Sequence, residues 1–118
     1  MPMYHLTTNV SKAKVNQAFA QELSKFLAGV MDSPEKVVTL HVNPDQIMMR
    51  YGSADPMVHV AIYSFNPKFI TTEMKEKWVT SLTPYLSEKM GIADLSRVLI
   101  SFHPLDPSQV GVGGKIAC

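Results

Sequence analysis

Hydrophobic and polar positions along the chain follow two periodicities, which together predict two β-α-β units. Runs of alternating or continuous apolar residues predict strands at 3–10, 37–42, 57–65 and 97–103. Within each pair of strands, apolar residues recur every three or four positions, which predicts an amphipathic helix. The predicted fold class is therefore α/β (α+β), with a four-stranded mixed sheet and two helices on one face.

Each predicted helix has one apolar face. The first face comprises Val15, Phe19, Leu23, Leu27 and Val30 or Met31, and the second comprises Met74, Trp78, Leu82, Tyr85 or Leu86 and Met90. Ser11 is the expected N-cap of the first helix. Thr71 or Thr72 is expected to cap the second helix, and Gly91 to end it. Pro84 falls inside the second helix, where it should remove one backbone hydrogen bond.

A short motif at the start of the chain occurs again halfway along it. The residues Pro-Met-Tyr-His-Leu at 2–6 correspond to Pro-Met-Val-His-Val at 56–60. We expect a single domain over 1–118, with internal repeats at about 2–50 and 56–108 and a C-terminal tail at 109–118. One face of the sheet would have no helix, and several residues expected there are apolar. A bare apolar face indicates an oligomer.

Composition and charge exclude several classes of function. The 118 residues carry a formal net charge of +1 and no basic run, so no nucleic-acid partner is expected. No apolar stretch reaches about 18 residues, so we expect no membrane span, and no secretory signal pattern is recognisable. A single cysteine, Cys118, excludes a disulfide within the chain. Glycine-rich and metal-binding fingerprints are missing, so no cofactor is expected.

Two sets of residues could carry chemistry. The four histidines, at 5, 41, 59 and 103, all fall in predicted strands, and we interpret them as sheet residues, with no metal site. Removal of Met1 would leave the nitrogen of Pro2 as a secondary amine. In an apolar pocket, desolvation would lower the pKa of that amine toward neutrality, which suits a general base. The residues alone favour a simpler role for Pro2, as a rigid strand start.

Five segments, in the same order along nearly the whole chain, change this interpretation. They are Met1-Pro2-Met3 with Thr8-Asn9-Val10, Val42-Asn43-Pro44-Asp45-Gln46, Gly52-Ser53-Ala54-Asp55-Pro56, Arg97-Val98 with Ile100, and Val110-Gly111. With these segments the chain resembles the macrophage migration inhibitory factor family, which includes D-dopachrome tautomerase. The resemblance implies a homotrimeric barrel of β-α-β repeats with the helices outside. It also implies a pocket between subunits, in which Pro2 is the base for tautomerisation of a small aromatic keto or enol acid.

The resemblance also assigns the other pocket positions. The family lysine that pairs with a substrate carboxylate corresponds to Ser33, and Lys36 lies close enough in sequence to substitute for it. The remaining substrate-binding positions, each with a residue that differs from the family's, are Phe65, Leu99, Ser101 and Val112. Loss of the lysine removes a charge-assisted contact worth about 1.5–3 kcal/mol. We therefore expect a tautomerase activity that is weakened or directed at another substrate.

The resemblance further implies a cytokine that binds a cell-surface receptor. Such a protein would be cytoplasmic and secreted by a route without a signal peptide. Lys12 and Asp45 correspond to family surface charges that are implicated in receptor binding, although each residue taken alone also fits an ordinary solvated surface. A catalytically silent trimeric signalling or interaction protein is the alternative function.

Overall fold

The computed structural model describes residues 2–117, so the expectations about Met1 and Cys118 lie outside the described residues. The main elements are β1 (Met3–Thr8), α1 (Gln17–Val30), β2 (Thr39–Asn43), β3 (Val58–Ser64), α2 (Thr72–Met90) and β4 (Val98–Pro104). A short hairpin follows, made of β5 (Gly111–Val112) and β6 (Lys115–Ile116). The four predicted strands and two predicted helices are confirmed, with bounds that differ by a few residues.

The four main strands form one mixed sheet in the order β2-β1-β3-β4. The pairs β1–β2 and β3–β4 are parallel, whereas β1 and β3 are antiparallel. Each parallel pair is joined through a helix, because two parallel strands need a long crossover connection. The predicted β-α-β arrangement is thus confirmed for the protomer, and the homotrimeric barrel stays a prediction.

Both helices pack on the same face of the sheet and form the core with it. Tyr4, Leu6, Val58, Val60 and Ile62 point to this face from the central strands, and α1 and α2 cover them with Leu23, Leu27, Trp78, Leu82 and Leu86. The Trp78 Nε1–H donates to the Tyr4 hydroxyl over 3.1 Å, and that hydroxyl donates to the Met31 sulfur over 3.1 Å. The polar atoms of the core therefore have partners, as buried polar groups require.

The start of α1 differs from the prediction. The Ser11 hydroxyl accepts a hydrogen bond from the Ala13 N–H in a turn that precedes the helix. The N-cap is Asn16, whose side-chain oxygen accepts from the Phe19 N–H over 3.1 Å. The Ser11 prediction was wrong because both residues are good caps, and only the path of the chain decides which one stands before the first helical turn. Val15 is buried in that turn all the same.

The ends of α2 agree with the prediction. The Thr71 hydroxyl accepts from the Met74 N–H over 3.2 Å, so Thr71 is the N-cap. Gly91 ends the helix with a φ of 69°, a left-handed conformation in which glycine pays little steric cost. Pro84 lies within the helix. Among residues 2–117, no helix is both long enough and apolar enough to cross a membrane.

The opposite side of the sheet, which we call the open face, is not covered by α1 or α2. Strand register assigns it twelve residues: Met3, His5, Thr7, Thr39, His41, Asn43, His59, Ala61, Tyr63, Leu99, Ser101 and His103. Only Met3, Ala61 and Leu99 of these are aliphatic. Several apolar residues thus lie on the uncovered face, as expected, but most of its residues carry imidazoles or hydroxyls, because alternate residues of each strand point to the core.

Candidate functional site

Pro2 is buried immediately before β1. The next residue, Met3, pairs with Thr39 of β2 and with Tyr63 of β3. Pro2 therefore lies at the end of the sheet where β2 begins and β3 ends. Burial of the Pro2 ring is one part of the environment that the general-base hypothesis requires; the other is removal of Met1, which converts the Pro2 nitrogen from an amide into an amine.

Three predicted substrate-binding residues belong to the same end of the sheet as Pro2. Ser33 and Lys36 lie in the connection from α1 to β2, and Phe65 directly follows β3. Ser33 is half-buried, and its hydroxyl donates to the Met31 carbonyl over 3.2 Å. Lys36 is exposed in a short 3₁₀ turn, Glu35–Val37. Lys36 therefore lies in the same connection as Ser33, three residues further along the chain.

Leu99 lies at the other end of the sheet from Pro2. It pairs with His59, which pairs with Thr7, four residues along β1 from Met3. At the rise of an extended strand, four residues separate these positions by about 13 Å. One protomer therefore does not bring Leu99 next to Pro2.

Ser101 lies between two histidines on the open face. Its hydroxyl oxygen is 2.7 Å from His59 Nε2 and 2.8 Å from His103 Nε2. Because the hydroxyl has one proton, one ring nitrogen accepts from it while the other donates to it when both rings are neutral. Burial lowers the pKa of His59, and the nearby His103 lowers it further by a smaller amount. The hydroxyl that was expected to line a substrate pocket is thus engaged by two imidazoles within the protomer.

The remaining pocket residue, Val112, is 52% exposed on β5. It pairs with Lys115 across the β5–β6 hairpin, which lies within the predicted C-terminal tail. Val112 and Ile116 present apolar side chains to solvent from this hairpin. Exposed apolar residues on a short, isolated hairpin are typical of a contact surface.

The two predicted receptor-binding residues are neighbours in the structure. The backbone N–H of Lys12 donates to Asp45 Oδ2 over 3.0 Å, and the Asp45 N–H donates to the Val10 carbonyl over 3.0 Å. Both residues are exposed, and they follow the C-terminal ends of β1 and β2. They therefore lie at the end of the sheet opposite to Pro2. The Asp45 carboxylate also joins the loop after β1 to the loop after β2.

Arg97 has a structural role that sequence reasoning did not identify. It is 6% exposed, and its guanidinium donates to the backbone carbonyls of Arg50, Ser53, Asp55 and Pro56 over 2.8–3.2 Å. These bonds fix the loop before β3 against the start of β4. Sequence offers no signal for such a set of partners, since every residue has a carbonyl. The neighbouring segment carries Ile47, which is fully exposed.

Four surface cavities of about 320, 270, 250 and 180 Å³ are present, and Pro2 lines none of these four. The largest is bordered by Asn9, Gln46 and the segment 47–49. Within residues 2–117, no three His, Cys, Asp or Glu side chains come together in a way that could hold a metal ion. None of these four cavities therefore marks the candidate base.

Comparison with known proteins identifies the family. The family model described as macrophage migration inhibitory factor (MIF) matches residues 1–118. The chain belongs to the MIF family. Rat macrophage migration inhibitory factor is 31% identical over 115 residues, which covers 98% of this chain and 97% of that protein. D-dopachrome decarboxylase-B of Xenopus laevis is 29% identical over 116 residues, with the same coverage of 98% and 97%.

A solved structure supports the same assignment. The macrophage migration inhibitory factor of Trichinella spiralis matches this chain with a TM-score of 0.84 at 26% identity. The match covers 96% of this chain and 97% of that one. The MIF-family resemblance inferred from the sequence motifs is thus confirmed over the whole fold.

Proposed function

We propose that this chain is a MIF-like cytokine that carries a keto–enol tautomerase site, with Pro2 as the catalytic base and an activity that is weakened or altered. The observation that carries the proposal is the burial of Pro2 at the start of β1, in a chain that matches the MIF family from end to end. Burial disfavours the protonated form of an amine. It therefore favours a nitrogen that is free to accept a proton near neutral pH.

The proposed reaction moves one proton within the substrate. After removal of Met1, the secondary amine of Pro2 takes a proton from the carbon next to the ketone carbonyl. The electron pair of that C–H bond forms the C=C bond, and the carbonyl oxygen receives a proton from water or from the protonated pyrrolidine. The base is regenerated when the pyrrolidine passes its proton on, so protons and electrons balance without a cofactor.

The proposed substrate is a small aromatic keto or enol acid. Lys36 lies at the same end of the sheet as Pro2, so its ammonium group can pair with the substrate carboxylate in place of the family lysine at Ser33. Phe65 follows β3 at this end and supplies an aromatic surface. A lysine on an exposed turn holds a carboxylate less rigidly than one fixed in a pocket. This difference supports an altered activity.

A homotrimer with a pocket between subunits fits the distribution of the site residues. Pro2 and Lys36 lie at one end of the protomer, whereas Leu99 pairs at the level of Thr7, about 13 Å along β1 from Met3. A neighbouring copy would contribute Leu99, Ser101 and Val112 to the pocket of its partner. Ile47 is 101% exposed and Val112 is 52% exposed, and such side chains favour burial against another subunit.

The cytokine part of the proposal is based on family membership and on the Lys12–Asp45 pair. The two residues form one exposed site, and the lysine offers a point charge without the planar fork of an arginine. We propose that the protein is cytoplasmic, is secreted without a signal peptide and binds a cell-surface receptor through this site. A complete lack of effect of the trimer on target cells would remove this part.

A catalytically silent trimeric signalling or interaction protein is the second candidate. It is favoured by the hydroxyls of Ser33 and Ser101, which are both engaged within the protomer. In this case the scaffold and its surfaces would function without turnover at Pro2.

A tautomerase assay on phenylpyruvate, with the N-terminus of each preparation verified by mass spectrometry, tests the base. We expect Pro2→Gly to lower kcat/KM by about 100-fold or more, because it removes the buried secondary amine. The equivalent proline of the second repeat provides a matched control. Pro56 is exposed and its nitrogen is an amide, so Pro56→Gly should leave the rate within about 2-fold.

Two outcomes would decide against Pro2. Equal rates for the Pro2→Gly variant and the unmodified protein would exclude Pro2 as the base. No measurable rate in any preparation that begins at Pro2 would favour the catalytically silent candidate instead.

A further inference from the structure

One hydroxyl of the open face lies between two imidazole nitrogens. Ser101 and His103 belong to β4, whereas His59 belongs to β3. The Ser101 Oγ is 2.7 Å from His59 Nε2 and 2.8 Å from His103 Nε2. All three side chains are half-buried, so they keep some contact with solvent in the protomer. A hydroxyl within hydrogen-bond distance of a ring nitrogen is the pairing that activates a serine nucleophile.

The two rings have different roles in this arrangement. With both rings neutral, one Nε2 accepts the hydroxyl proton and the other Nε2–H donates to the hydroxyl oxygen. Burial, and to a smaller degree the nearby His103, lowers the pKa of His59. His59 is therefore unprotonated at neutral pH and serves as the acceptor. One lone pair of the Ser101 oxygen then accepts from His103, and the other is free to attack a carbon atom.

The second ring, His103, is packed against Tyr63. The two rings are stacked, with centroids 4.6 Å apart and an interplanar angle of 21°. When Ser101 attacks a carbonyl carbon, the carbonyl oxygen becomes an oxyanion that is bonded to the same carbon as the Ser101 oxygen. A donor that already lies 2.8 Å from Ser101 Oγ can reach this oxyanion by a small rotation of the ring. Such a donor stabilises the tetrahedral intermediate.

The surrounding residues of the open face indicate the class of substrate. Among its twelve residues, all within the described chain, none is Asp, Glu, Lys or Arg. Leu99 precedes Ser101 by two positions on the same face, and Ala61 pairs with Ser101 across β3. An uncharged ester brings no charge that this surface would leave without a partner. An aromatic leaving group suits a face that already carries stacked rings.

We propose that Ser101 is a nucleophile that uncharged aryl esters of small carboxylic acids acylate, with His59 as the general base. The Ser101 Oγ forms a bond to the ester carbonyl carbon while its proton passes to His59 Nε2. The C–O bond to the phenol then breaks, and the phenol leaves with the proton from His59. Water attacks the acyl group in the same way and releases the acid. The sum is the hydrolysis of one ester by one water molecule.

Acetylation of the full chain by p-nitrophenyl acetate at neutral pH tests the inference. Trypsin releases the peptide 98–115, which contains both Ser101 and Ser108. Ser108 is exposed and its hydroxyl donates to the Asp106 carboxylate, so it is an internal control whose partner is not an imidazole. At early times, tandem mass spectrometry of this peptide should find at least about 10-fold more acetyl on Ser101 than on Ser108.

Two substitutions by glutamine test the general base. His59→Gln should slow the acetylation of Ser101 by at least about 10-fold, because it removes the proton acceptor. His41→Gln makes the same chemical change at an exposed ring of the same face, and it should leave the rate within about 2-fold. Far-UV circular dichroism of each variant checks that it is folded. If His59→Gln does not fold, the comparison of the two serines in the wild-type chain decides by itself.

The outcomes separate this inference from the proposed function, because the reaction at Ser101 uses neither the Pro2 nitrogen nor the removal of Met1. Equal labelling of Ser101 and Ser108 would overturn the inference, and an unchanged rate in a folded His59→Gln variant would refute the general base. Tautomerase activity in a chain whose Ser101 stays unlabelled would leave the proposed function in place. Labelled Ser101 in a chain without tautomerase activity would do the reverse.

Discussion

The same four strands form both faces of the sheet, and the two faces differ in the burial and the polarity of their side chains. On the face under the helices, the side chains of Tyr4, Leu6 and Val58 are fully buried, and the neighbours are aliphatic or aromatic. On the open face, His5 and His41 are exposed in the protomer. The polar groups of the core hydrogen-bond to one another within the chain. The exposed rings of the open face remain in contact with solvent.

This difference separates folding from association. The core face stabilises the protomer at any pH at which the protonation states of its few polar groups do not change. Burial raises the pKa of the Tyr4 phenol, so this hydroxyl stays a donor throughout the neutral range. The open face contributes less to the protomer, and it carries four imidazoles, of which His59 has a lowered pKa because of burial and the nearby His103. Substitutions on the two faces should therefore differ first in the size of their effect on unfolding.

The largest effect is expected for Trp78→Ala. Trp78 is fully buried and contacts the rings of Tyr4, Phe69 and Phe102. Its truncation should lower the free energy of unfolding by about 3–5 kcal/mol, measured by urea denaturation at one fixed protein concentration. Tyr51→Ala, at a residue that is 70% exposed, is the control and should cost less than about 1 kcal/mol. A loss at Trp78 no larger than that at Tyr51 would contradict the described core.

A smaller effect is expected for Tyr4→Phe. The change keeps the ring but removes the oxygen that accepts from Trp78 Nε1–H. A buried N–H without an acceptor should cost about 1–3 kcal/mol in the same denaturation experiment. Tyr63→Phe makes the identical chemical change on the half-buried open face, and we expect a cost below about 0.5 kcal/mol. Equal costs at the two positions would mean that the two faces do not differ as described.

Of the three test substitutions, with the controls set aside, Ser101→Ala is expected to have the smallest effect on the protomer. The hydroxyl bridges two half-buried imidazoles. When the bridge is lost, their ring nitrogens can form hydrogen bonds with water instead. The free energy of unfolding should fall by about 0.5–1 kcal/mol at pH 7.5. A loss above about 2 kcal/mol would indicate that the open face stabilises the protomer as the core does. Thr80→Ala, which removes an exposed hydroxyl from α2, is the matched control.

Sequence periodicity was sufficient for the elements and for the ends of α2. Thr71 and Gly91 stand at the limits of a clear apolar repeat, so their capping roles follow from local rules. The start of α1 was not predictable in the same way, because Ser11 and Asn16 are both competent caps and the turn that buries Val15 decides between them. Local signals specify where a helix can begin, and packing selects where it does.

Candidate site residues were predictable only through the family resemblance. The chemistry of Pro2 follows from its position after Met1, but its burial depends on three strands that meet at one end of the sheet. Arg97 was missed as a structural residue because its partners are carbonyls of a folded loop. The roles of the site residues remain predictions, to be tested with the Pro2 variant.

By itself, the sequence determined the alternation of strands and helices and the family, because periodicity and motif order are properties of the linear chain. Only the tertiary structure decided that four histidines from distant segments share one uncovered surface, and that Ser101 bridges two of them. Strand order and register bring these residues together, and both depend on how the helices pack across the sheet. The physical reason is that side-chain neighbours in a sheet are set by pairing between strands, which no local pattern encodes.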